Sequence, residues 1–111
     1  MEVKPGDIYS VVSGDTGRFS VVKILAVEPG VLTVRLYTNV YDERPATLDP
    51  STLRLQDADG WIGAAAIPMK PHHLESWEPH LILNQPLRED EMMVRFEPSS
   101  RRRIRDLFRR R

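Results

Sequence analysis

FSVVKILAVEPGVLTVRLYTNVY, residues 19–41, holds two β-branched runs joined by Glu28-Pro29-Gly30-Val31. Proline there stands where φ near −65° is wanted and glycine where φ is positive, so the four residues predict a type II turn. Strands over Phe19–Glu28 and Val31–Tyr41 follow, paired as a hairpin. The second run alternates cleanly: Leu32, Val34, Leu36 and Val40 share one face, expected to be core, and Thr33, Arg35, Tyr37, Asn39 and Tyr41 share the other. The first run is apolar on both faces, with Val22, Ile24 and Ala26 on one and Phe19, Val21, Leu25 and Val27 on the other. A strand of that kind is covered on both sides.

Working outward, Asp7–Val12 reads as a preceding strand, joined through the Ser13-Gly14-Asp15-Thr16-Gly17 turn. Downstream, Asp49-Pro50-Ser51 pairs an N-cap with proline at the first helical position and predicts one helical turn. Trp61–Pro68 reads as a weak strand, and a short helix starts at Pro71 with Leu74 and Trp77 inward. Pro79 ends that helix, and His80–Leu83 returns as an edge strand. In residues 87–97 the early carboxylates and the Met92 to Phe96 spacing favour a helix, with a strand through Met92-Met93-Val94 as the competing reading. The expected fold class is mainly β with short C-terminal helices (α+β), a small SH3-like barrel built on an antiparallel β-meander. Residues 1–98 form a single β-rich domain, and 99–111 a basic C-terminal segment, helical if docked.

The opening Val3-Lys4-Pro5-Gly6-Asp7-Ile8, the Gly-rich hairpin and the long apolar strand resemble SH3-like and Tudor-like small barrels. Lys4-Pro5-Gly6-Asp7, with the aromatic Phe19 after the first turn, also resembles the bacterial immunity protein 26 family over about the first quarter of the chain. That second resemblance implies immunity to a toxin and carries no functional residue with it.

With 111 residues, 41% hydrophobic and 29% charged, the composition is that of one ordinary globular domain. No apolar run reaches the ~20 residues of a membrane helix. The start has no signal-peptide pattern, so a cytoplasmic location is expected. Zero cysteines remove disulfides, thiolate chemistry and Cys-ligated metal sites together. The formal charge of zero is divided: residues 99–111 carry seven arginines and one aspartate, +6, against −6 for the rest.

The side chains that carry a functional reading are few. Arg35, Tyr37, Asn39 and Tyr41, with Tyr9 adjacent on the first strand, form a candidate partner-binding face, since aromatics interleaved with arginine stack bases or anchor protein interfaces. The same residues also suit an ordinary sheet surface or one covered by the C-terminal helices. Arg101, Arg102, Arg103, Arg105, Arg109, Arg110 and Arg111 form a candidate basic tail, in which Ile104, Leu107 and Phe108 make one apolar stripe suited to docking. His72, His73 and His80 with Glu75 and Glu78 match no established ligand spacing, so no metal is expected. No nucleophile with its base is visible, and no cofactor motif. The expected function is a non-catalytic binding or accessory module recognising a protein or nucleic-acid partner through the sheet face and the tail. An immunity-like inhibitor of a toxin is the alternative, and a small enzyme with a site not visible in sequence the third reading.

Overall fold

The computed structural model describes residues 2–13, 17–56 and 63–93. Five strands, β1 Asp7–Ser13, β2 Arg18–Glu28, β3 Val31–Tyr41, β4 Ala64–Met69 and β5 His80–Asn84, form one antiparallel sheet in the order β4-β3-β2-β1-β5. A single 3-10 turn, Pro50–Thr52, and two short helices, α1 Pro71–Glu75 and α2 Glu89–Met93, complete the described elements. The fold is therefore mainly β, and residues 89–93 are helix, with three acidic residues in the first turn where they complement the helix dipole. Among the described residues no ladder joins β4 to β5. The described strands therefore form an antiparallel sheet that does not close on itself among the described residues, so they show the β-meander and not the barrel expected from it. Both edge strands are short, and β4 carries Pro68, a residue that edges tolerate.

Two of the expected turns are seen, while positions 14–16 of the first hairpin lie outside the described residues. Gly30 takes φ 78° between β2 and β3, and Asp49 accepts hydrogen bonds from both Ser51 N and Ser51 Oγ ahead of Pro50 at the first helical position. The hairpin is not regular, however. Val22 pairs with Leu36 and Ser20 with Val40, so residues 37–39 of β3 bulge opposite Val21, and Leu25 is an extra residue on β2 between Ile24 and Ala26. Such bulges bend the strand and re-aim side chains.

One face of the sheet carries the apolar core: Tyr9, Val11, Val22, Ile24, Leu32 and Val34, with Met69 and the fully buried Leu74 of α1. Trp77 packs against this cluster, and its carbonyl accepts the Val12 N–H at 2.8 Å, which fastens the α1 end to β1. The other face is buried as well, with Ile8, Ser10, Val21, Lys23 and Arg35 following the alternate register. At one end Arg44 covers it, donating to Ser10 O, Ser10 Oγ and Glu78 O while its guanidinium lies 4.7 Å from the Phe19 ring centroid. At the other end α2 covers it. Two residues expected in the interior lie at strand ends instead: Val40 is 50% exposed and Val27 42%. Val40 follows the bulge in β3, and Val27 lies next to the tight turn.

Candidate functional site

Register places Lys23 of β2 beside Arg35 of β3, on the face opposite the apolar core. Lys23 is 1% exposed and Arg35 6%, so neither charge is solvated and each needs partners. Glu91, itself 1% exposed, supplies most of them. Its Oε1 accepts from Lys23 Nζ at 3.0 Å, and its Oε2 from Arg35 Nη1 at 3.5 Å. The same Oε1 accepts the Arg88 N–H at 2.9 Å, the reach-back by which a glutamate at the third helical position caps its own helix. Lys23 Nζ also donates to Gln85 Oε1 at 3.3 Å. Arg35 Nε donates to Ala65 O at 3.0 Å, which ties β3 to β4. One carboxylate thus starts α2 and docks it on the sheet.

Burial pushes the Glu91 carboxyl up, but the Arg88 N–H, the Lys23 hydrogen bond and the Lys23 and Arg88 charges outweigh it and hold the pKa below the ordinary value. Burial also pushes the Tyr37 hydroxyl up, against the Arg35 charge and hydrogen bond, which pull it down. Tyr37 is half-buried beside this network and lines a cleft of about 340 Å3. Asp49, Ser51 and Leu53 contribute from the 3-10 turn, and Gln85, Arg88 and Glu91 from the segment entering α2. That segment is anchored upstream, where Gly6 N donates to Ile24 O and Gln85 N donates to Gly6 O.

The residues singled out in sequence divide accordingly. Tyr37 reaches the cleft. Arg35 is its neighbour but is buried under α2 and engaged by Glu91 and Ala65. Asn39 is structural: its side chain donates to Thr52 O at 2.9 Å and accepts from Arg54 N at 2.9 Å, pinning the 3-10 segment alongside β3. Tyr41 contacts Asn39 at 3.5 Å and does not line the cleft. Tyr9 is not adjacent to this face. It pairs with Val22 and packs in the apolar core on the opposite side, its hydroxyl donating to Asp7 Oδ2 at 3.1 Å. Burial, then the Asp7 charge and hydrogen bond, push its pKa up to about 12. The tail arginines at positions 101–103, 105 and 109–111 lie outside the described residues.

Sequence reasoning passed over Lys23, Gln85, Arg88 and Glu91. Two signals were present: a lysine inside a strand apolar on both faces, and a glutamate at the third position of an acidic helix start. Among the described residues no group of three or more His, Cys, Asp or Glu converges, and His73 instead meets the Trp77 ring edge-on at 5.7 Å. No described helix is long and apolar enough to cross a membrane. Compared with known proteins, the chain matches no family model, no curated protein and no solved structure.

Proposed function

We propose that this chain is a non-catalytic binding module of SH3-like type that recognises a protein partner through the Tyr37 cleft. The observation that carries the reading is the cleft itself, open to solvent and bounded by β3, the 3-10 turn and the segment entering α2, all held by hydrogen bonds. A prebuilt recess with an aromatic wall loses little freedom on binding, which is where affinity is gained for a given area. The SH3-like assignment rests on the opening motif and on β5 returning beside β1, the connection a curling five-stranded sheet requires.

A protein partner is favoured over nucleic acid because the cleft rim mixes charges. Asp49 stands there with Arg88, whose guanidinium pairs with Asp90 at 3.6 Å, whereas a phosphate-tracking groove carries one sign. Tyr37→Ala is the direct test, since Tyr37 is half-buried and outside the apolar cluster. Loss of partner capture with an unchanged urea unfolding midpoint supports the reading. Equal capture by the variant removes it.

A further inference from the structure

Resting on that binding reading, we infer that the Gln85–Arg88 end of the Tyr37 cleft is a carboxylate-accepting subsite, taking an aspartate or glutamate side chain of the partner protein. The ground is a charge imbalance beneath the cleft. On the buried face among the described residues stand two cations, Lys23 and Arg35, and one anion, Glu91, which leaves one positive charge uncompensated where solvent screening is weak. The remaining buried carboxylate, Asp7, belongs elsewhere: it accepts from Tyr9 OH, Asn84 Nδ2 and Lys4 N.

The donors at the cleft agree in sign with that field. Lys23 takes the carbonyl end of the Gln85 amide, leaving the NH2 end as the donor on that wall. Arg88 presents a guanidinium with 69% of its side chain exposed, held among the described residues by contacts of 3.5–3.6 Å to Asp90 and Glu91. Glu91 lines the cleft but brings no net negative charge to it, being matched by Lys23, Arg35 and Arg88 together. The opposing charges are Asp49, fully exposed, and Asp90, 68% exposed and 3.6 Å from Arg88, and both are therefore screened where the buried cations are not. A single carboxylate entering beside Arg88 meets an unbalanced buried positive charge below it and two donors at its sides.

The test titrates the intact protein with three blocked tripeptides, acetyl-Gly-Glu-Gly-amide and its Gln and Lys counterparts, at constant ionic strength. Side-chain NMR signals of Gln85, Arg88 and Tyr37 report binding. The glutamate peptide shifts them in a saturable way and the glutamine peptide does not. Asp49→Asn, which retains the cap acceptor of the 3-10 turn, tightens binding by roughly two- to fivefold, and Arg88→Gln weakens it by a similar factor, the size of one exposed charge interaction. Shifts from the lysine peptide in place of the glutamate peptide overturn the inference and leave the cleft as a binding site. Absence of any shift, with capture still dependent on Tyr37, overturns the inference alone. Capture that ignores Tyr37→Ala overturns the binding reading beneath it.

Discussion

Glu91 holds three groups at once: the Lys23 ammonium, the Arg35 guanidinium and the Arg88 N–H that opens its own helix. Removing one partner of a buried ion pair costs more than the pair contributes, because the charges left behind stay desolvated. Glu91→Ala is therefore expected to destabilise the fold by about 3–5 kcal/mol in urea unfolding. Glu91→Gln retains an acceptor and should cost less. The sign of the pH effect follows from the lowered pKa. A carboxyl whose folded pKa lies below its unfolded value of about 4.3 stabilises fully above that value and loses the contribution as pH falls through the folded pKa. Unfolding free energy should thus drop steeply in acid for the native chain and less steeply for Glu91→Gln; identical slopes would show that Glu91 carries no such linkage. Tyr9 behaves in the opposite sense. Its pKa near 12 means the neutral phenol is favoured in the fold, so that stabilisation is present below the unfolded value near 10 and is lost as pH rises through 12. Phenolate absorbance should show one tyrosine ionising last, and Tyr9→Phe should remove that late step.

At the scale of elements, most of the architecture was readable in sequence because period-2 alternation and turn residues are local signals. β3 occupies the predicted Val31–Tyr41, α1 starts at the predicted Pro71 with Leu74 inward, and β5 is the predicted edge strand. What was not readable depends on register and on helix phase. The face that Tyr9 takes is set by its pairing with Val22, and a slip of one residue would have turned it to the face that carries Lys23 and Arg35. Alternation put Arg35 opposite the aliphatic face correctly, but nothing local says that α2 lies over it. Glu89, Asp90 and Glu91 are all acidic; the third position marks Glu91 as a cap of its own helix, but only docking places it in the interior. Gly6 shows how tightly the covering segment is set. It has φ 93°, and a Cβ there would lie 2.6 Å from the Gln85 carbonyl oxygen. Gly6→Ala should therefore destabilise by more than about 1 kcal/mol in urea unfolding and displace the Gln85 side-chain NMR signal. An unperturbed variant would mean the strap is looser than the geometry requires.

For the whole molecule, two layers of cover on one open sheet separate two tasks. The face with Leu74 and Trp77 supplies the apolar core, and Leu74→Ala should cost roughly 2–5 kcal/mol without changing the character of the cleft. The other face is held by charge pairs and carries the Tyr37 cleft, so its chemistry can be altered at the rim with little loss of stability. The division of charge between residues 99–111 and the rest of the chain makes recognition through the tail a separate expectation from sequence, one that salt and nuclease treatment distinguish from recognition through the cleft. The decisive measurement is parallel affinity capture by the full chain, the Tyr37→Ala variant and a 1–98 truncation, with nuclease-treated eluates and matched urea midpoints. Recognition through the cleft predicts a protein partner retained by the full chain and the truncation, insensitive to nuclease, and lost with Tyr37→Ala. Retention by Tyr37→Ala, with loss in the truncation or after nuclease treatment, would contradict it.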